Sequence, residues 1–218
     1  MSSFARIERA FFNRLTQEVA RDLIGMRLVR IEGKSRLSGI IVEVEAYRGQ
    51  EDLGCHAKAG FTPRTKIMYG PPGYAYVYFT YGKHWMLNFV TEAVGFPAAV
   101  LIRAILIEEG QDIIAQRRNH QPSHQWTNGP AKLCQALSID GSLNGYDICQ
   151  PDALLFVESK QDGSPILPLS VTTTARVGLN NVPEPWRSIP WRYVGLYENH
   201  TEIKREAHSS IRRKKWVY

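Results

Sequence analysis

Short apolar runs alternate with turn residues along this chain, and two periods can be read in them. Gln17–Ile24 carries helical spacing, with Thr16 as its N-cap and Gly25 as its stop. Leu28–Ile31 and Ser38–Tyr47 read as strands joined by a turn over Glu32–Lys34. Within the second strand, the two-residue period puts Ile40, Val42, Val44 and Ala46 on one face. Glu43, Glu45 and Tyr47 take the other face.

Gln50–Thr65 is polar, contains Gly and Pro, and is expected to be a long loop. Tyr74–Thr80 and Trp85–Val90 read as a β-hairpin with Gly82 in its turn. Ala98–Leu106 is a further strand, broken only by Arg103, and Glu108–Arg118 is expected to be helical. Asn128-Gly129-Pro130 opens another helix, with proline at its first position. Leu133, Ala136 and Leu137 give that helix an apolar face. Ala153–Val157 and Ser170–Thr174 are shorter strand patterns. The order of elements predicts an α+β fold, with antiparallel strands and flanking helices in a single domain over residues 1–218. Residues Ile203–Tyr218 form a charged tail containing Arg212-Arg213-Lys214-Lys215, expected to be partly mobile and either solvated or loosely associated with a polyanion.

Composition narrows the class. Hydrophobic residues make up 44% of the 218, enough to bury a substantial core. The net charge of +6 favours a polyanionic partner, because neutralised phosphates release counterions. Three cysteines, Cys55, Cys134 and Cys149, give an odd count without CxxC spacing, which argues against a disulfide framework. No signal peptide is read at Met1–Phe12, and no apolar run approaches the roughly 20 residues that cross a bilayer. No membrane partner is expected. A cytoplasmic location follows, nucleoid-associated in a bacterium or nuclear in a eukaryote.

Three places can carry chemistry. Glu43, Glu45 and Tyr47 are either a solvated strand face or a carboxylate and an aromatic lining a pocket, with Glu45 as general base. Arg103 interrupts the apolar run AAVLIRAIL, and a buried arginine needs a carboxylate. It is a structural ion pair, an exposed edge residue, or the partner of Glu45 around a trapped water. The hairpin carries Tyr74, Tyr76 and Tyr78 on one face and Tyr81 at its tip. The first two suit sheet packing. An aromatic tip can wedge between base pairs, with Lys83 and His84 beside it for phosphates. Cys55 and His56 adjoin, but without a second cluster they are a poor zinc signal, and no metal is expected. The Gly129-Pro130 helix start and the Ala175-Arg176-Val177-Gly178 segment can present backbone N–H groups to phosphates, or be a plain cap and a tight turn.

Taken together, VEVEAY (Val42–Tyr47), EDLGCHA, TPRTKIMYGPPGYAYVYFTYG, MLNFV, AVLIRA, NGPAKLCQAL and ARVG resemble the alkyladenine or 3-methyladenine DNA glycosylase family. The matches run in family order from about Thr16 to Tyr193. The resemblance implies a compact domain with a curved antiparallel sheet and a hairpin protruding into the minor groove. It implies a monofunctional N-glycosylase that flips alkylated or deaminated purines (3-methyladenine, 7-methylguanine, hypoxanthine, ethenoadenine) and hydrolyses the base–sugar bond. Glu45 matches the general base and Arg103 the arginine that helps hold the water. Leu179 falls where a backbone carbonyl completes that water's cage; the family often has valine there. Tyr47, His56 and Tyr78 match the residues that sandwich the flipped purine, and Asn88 the one that crowds the 2-amino group of guanine. Tyr81 matches the intercalating wedge. Beside what the resemblance implies, Lys83, Gly129, Lys132 and Arg176 are the candidate DNA contacts. The expected partner is double-stranded DNA containing damaged purines, bound by a monomer without a cofactor. A non-catalytic damage-recognition module and a small-molecule glycosidase or metal-dependent hydrolase are the competing classes. A typical glycosidase needs two carboxylates flanking the bond, which Glu43 and Glu45 could imitate.

Overall fold

The computed structural model describes residues 4–167 and 169–196, so the basic tail lies outside the described residues. In chain order, the elements begin with β1 (Phe4–Arg6), α1 (Arg9–Phe12), α2 (Thr16–Leu23), β2 (Arg27–Glu32) and β3 (Ser35–Arg48). The hairpin strands β4 (Ala75–Thr80) and β5 (His84–Val90) and the long β6 (Ala98–Glu109) follow. After these come α3 (Gln111–Arg117), α4 (Pro130–Ala136), β7 (Leu155–Lys160), β8 (Ser170–Thr174) and β9 (Arg192–Leu196). All nine strands join one antiparallel sheet in the order β1-β7-β2-β3-β6-β5-β4, with β9 on β3 and β8 on β9. The α+β class, the hairpin and the proline-started helix are as the sequence predicts. Among the described residues no helix is long and apolar enough to cross a membrane.

β3 organises the sheet. It pairs with β6 along one edge. Its other edge changes partner, from β2 over Ser35–Ile40 to β9 over Glu43–Glu45. At the change the register slips: Ile41 faces Ile105, Glu43 faces Ala104 and Val44 faces Ile102. Val42 on β3 and Arg103 on β6 are therefore the extra residues of two bulges. This corrects the predicted strand face. Ile41, Val44 and Ala46 enter the main core, and Val42 does not, because a bulge reverses the alternation on which the prediction rests.

Two further expectations fail at element ends. Thr16 is the first helical residue of α2, not its cap; its amide and hydroxyl both donate to the Glu92 carboxylate, at 3.2 and 2.5 Å. A distant carboxylate thus satisfies a helix terminus that the local sequence does not. Glu108 and Glu109 extend β6 instead of starting a helix. Arg27 holds Glu108 at 2.6 Å, and Ser38 and Arg36 hold Glu109 at 2.5 and 2.7 Å. Gly110, at φ +80°, makes the break before α3.

The sheet has two unlike faces. Val44, Ala46, Val77, Leu87, Phe89, Val100 and Ile102 pack into the main core with α2 and α4. Their sequence neighbours on the other face are Glu43, Glu45, Tyr47, Tyr76, Tyr78, Asn88, Ala99, Leu101 and Arg103.

Candidate active site

A cavity of about 270 Å³ opens on that second face. β3 supplies Tyr47 to its lining, the following loop His56, the hairpin Tyr76, Tyr78, Tyr81 and Asn88, and β6 Leu101 and Arg103. The segment after β8 closes it with Val177, Gly178 and Leu179, and Pro130 brings the start of α4 to its rim. The volume lies near the small end of ligand pockets, roughly 300–1,000 Å³, and suits a single flat base better than a larger ligand.

Glu45 does not line the cavity and has no exposed surface. Its partners do the lining. The Tyr47 hydroxyl donates to Glu45 Oε2 at 2.7 Å, and the Val177 N–H donates to Oε1 at 2.7 Å. Arg103 Nη1 stands 3.3 Å from Oε2. The Arg103 Nε donates to Glu43 Oε1 at 2.7 Å, and Arg192 Nε donates to the same oxygen at 2.7 Å. Alternation along β3 and β6 leaves Glu43, Glu45 and Arg103 on one side of the sheet, where each charge meets an opposite one. Burial opposes ionisation of Glu43, but Arg103 and Arg192 outweigh it and hold its carboxyl below the ordinary value. Burial also works against the charge on Arg103, and Glu45 and Glu43 more than restore it. Burial and the Glu45 carboxylate push the Tyr47 hydroxyl well above its ordinary value, which keeps it a donor.

The aromatic walls are equally specific. His56 Nδ1 lies 3.0 Å from the Tyr76 hydroxyl, and its ring stands edge-on to Tyr78 with centroids 4.6 Å apart. Burial, with Arg64 and Lys58 nearby, pushes the imidazole down to about 4, so His56 is neutral near pH 7. The Asn88 amide donates to the Tyr76 carbonyl at 2.9 Å and sits in the cavity wall. Burial pushes the Cys55 and Cys134 thiols up to about 12 and Cys149 up to about 11, which makes them packing groups, not nucleophiles. Among the described residues no group of three metal-binding side chains exists.

At the hairpin tip, Tyr81 is 83% exposed. Tyr81 and Gly82 both have positive φ, at 52° and 65°, the pair of values that a type I′ hairpin turn demands. Glycine takes that conformation freely and tyrosine does not, so the tip holds a strained aromatic in solvent. Lys83 is exposed beside it. Gly129 precedes α4, and Lys132 donates to Asn128 Oδ1 at 2.8 Å.

The side chain of Arg176 has no exposed surface and pairs with the equally buried Asp52, so a phosphate contact at this segment cannot use its guanidinium. Sequence reasoning also missed Asp52, the bridging Arg192, the Val177 amide and Arg64, whose guanidinium stands 5.2 Å from the Tyr78 ring centroid. The rule that a buried arginine needs a carboxylate would have flagged Arg176 only if its burial had been visible. Its exposed neighbours Ala175, Val177 and Gly178 gave no such sign.

Cavity, carboxylate–arginine pair and aromatic walls coincide with a match along the sequence: residues 10–199 fit the profile of the methylpurine-DNA glycosylase (MPG) family. The chain belongs to that family. A protein of Desulfitobacterium hafniense (strain Y51) named "Putative 3-methyladenine DNA glycosylase" is 45% identical over 91% of this chain and 99% of its own length. Proteins of the same name from Methanocella arvoryzae and Carboxydothermus hydrogenoformans are 44% and 42% identical, over 83% and 86% of this chain and 90% and 93% of their own. The expected family is thus shown, and with it the class: a DNA glycosylase, a hydrolase of base excision repair. The glycosylase keeps its family's substrate, DNA, as its own.

Proposed function

We propose that this glycosylase flips alkylated or deaminated purines out of duplex DNA, 3-methyladenine, 7-methylguanine, hypoxanthine and ethenoadenine among them. It then hydrolyses the base–sugar bond with a water that Glu45 deprotonates, leaving an abasic site. The observation that carries this reading is Glu45 buried behind the cavity wall, bonded to three groups that line it. A carboxylate has about four acceptor positions. Tyr47, Val177 and Arg103 engage three; the fourth is buried in this structure and meets the water once lesion binding parts the wall.

The flipped base enters between Tyr47, His56 and Tyr78, and Tyr81 fills the gap it leaves in the stack. The sugar then faces Tyr47, Val177 and Arg103, the groups that hold Glu45 behind them. As the bond stretches, the sugar gains oxocarbenium character. The carboxylate stabilises that charge and takes the proton of the attacking water, whose oxygen bonds to C1′, while the electron pair of the broken bond stays on the departing base: a cationic lesion leaves neutral, and a neutral one leaves as an anion that solvent then protonates. Arg103 and the Leu179 carbonyl orient the water. Neutral His56 is a hydrogen-bond partner for the base edge, not a proton donor. Asn88 crowds the 2-amino group of guanine. Cationic lesions gain cation–π attraction from the tyrosines. Lys83, with Gly129 and Lys132 near the rim, meets the phosphates. No lysine enters the chemistry, so no strand cleavage accompanies excision, and the enzyme works as a monomer.

The test is direct. The protein is incubated with a hypoxanthine-containing duplex, and abasic sites are revealed by alkali. Alkali-labile cleavage at the lesion alone is expected. Lesion binding without abasic sites would reduce the protein to a recognition module.

A further inference from the structure

The segment between β8 and β9, residues 175–191, lies almost wholly at the surface. It nevertheless delivers the Val177 N–H to Glu45 at 2.7 Å and places Gly178 and Leu179 in the cavity wall. One buried side chain fastens it, that of Arg176. Its Nη1 donates to the Ala46 carbonyl at 3.0 Å and to Asp52 Oδ2 at 2.5 Å. Its Nη2 donates to Asp52 Oδ1 at 2.7 Å and to the Trp186 carbonyl at 3.2 Å. The guanidinium also packs over Tyr47, 4.6 Å from the ring centroid. A single fork therefore joins the backbone between Glu45 and Tyr47, the loop after β3, and the far part of its own segment.

Asp52 extends the connection. Its Oδ1 accepts from the Gly54 N–H at 2.9 Å, just ahead of Cys55 and His56. Gly54 is where this packing is closest: a Cβ there would lie 2.8 Å from Arg176 Nη2 and 2.7 Å from Leu179 Cδ1. The side chain that glycine lacks would push on the arginine and on the cavity wall together.

A buried ion pair is weak evidence for stability, since an apolar pair of similar volume often serves as well. Here the pair touches, through one or two bonds, the backbone beside Glu45, the loop before His56 and the segment that carries Val177 and Leu179. We propose that Asp52 and Arg176 are positioning residues for Glu45: they hold the Val177 amide on the carboxylate and the Leu179 carbonyl beside the water that it activates. Bond cleavage then depends on them, and lesion capture at the hairpin does not. The inference rests on the reading of Glu45 given above.

Arg176→Lys tests it. Lysine keeps the charge beside Asp52 but cannot reach Asp52, Ala46 and Trp186 together. Single-turnover excision from a hypoxanthine duplex at saturating enzyme is compared with lesion-duplex affinity and thermal unfolding. A displacement of about 1 Å in a reacting group costs on the order of 10²-fold, so a loss of roughly ten- to a hundredfold in rate is expected at unchanged affinity. An unchanged rate in the folded variant overturns the proposal. So does a fall in rate and affinity together, which marks a structural pair. Should Arg176→Lys fail to fold, Gly54→Ala decides, because it shifts the same groups and removes no charge. Wild-type protein that excises nothing sinks the reading of Glu45 instead.

Discussion

The two faces of β3, β5 and β6 are built from alternate residues of the same strands, and they obey different physics. On one face Val44, Ala46, Leu87, Phe89, Val100 and Ile102 pack into the main core. Burial of such groups stabilises the fold by roughly 25 cal/mol per Å² of apolar surface. On the other face Glu43, Glu45 and Arg103 are drawn into the protein although each charge is expensive to desolvate. Pairing offsets that cost without making this face a source of stability. What the second face has in return is a hidden carboxylate of fixed geometry beside a cavity. One face holds the sheet together, and the other uses its rigidity.

Substitutions can separate the two. Glu45→Gln keeps the shape of the charged face and removes its base; excision should fall by roughly 10²–10⁴-fold while lesion binding persists, as single-turnover and binding assays would read. Robust excision by that variant would take Glu45 out of the base role. Phe89→Ala strikes the apolar face and should lower unfolding free energy by about 3–5 kcal/mol in urea titrations. Its loss of rate per folded molecule should be smaller than that of Glu45→Gln; an equal loss would mean the faces are not separable. Tyr81→Ser alters neither face but removes the wedge. Affinity for lesion duplex should drop by an amount equivalent to about 1–3 kcal/mol of stacking, with unfolding unchanged. Equal affinity would make the tip merely structural.

A last effect, comparable in size to that of Tyr81→Ser, is one of pH. His56 sits at about 4 when folded, against an ordinary 6.5. Between those values the unfolded chain binds a proton that the folded chain does not. Stability therefore falls as pH drops through that window, by at most about 1.4 kcal/mol per pH unit, and is flat above it. His56→Gln should lack this slope in urea midpoints taken at about pH 5 and about pH 7. Identical slopes would show that His56 is not the source.

Much of this was legible from residues alone. The hairpin, the helix opened by Pro130 and the strand pair around Glu45 follow from alternation and turn chemistry, which are local properties. The Glu45–Arg103 partnership could be suspected because an arginine inside AAVLIRAIL demands a carboxylate. The family match carried Tyr47, His56, Tyr78, Asn88 and Leu179 to positions that do line one cavity. Legibility stopped where a partner lies far along the chain. Thr16 and Glu92 are 76 residues apart, and Asp52 and Arg176 are 124 apart.

The sequence by itself determined the class of fold, the family and the pair of residues most suited to the chemistry, because period, turns and motifs are written in neighbours. Only the tertiary structure decided which way the bulged strands point their side chains, which carboxylate each arginine finds, and that Arg176 faces inward. Those outcomes depend on register and on the low dielectric of a closed interior, and both exist only once distant segments have met.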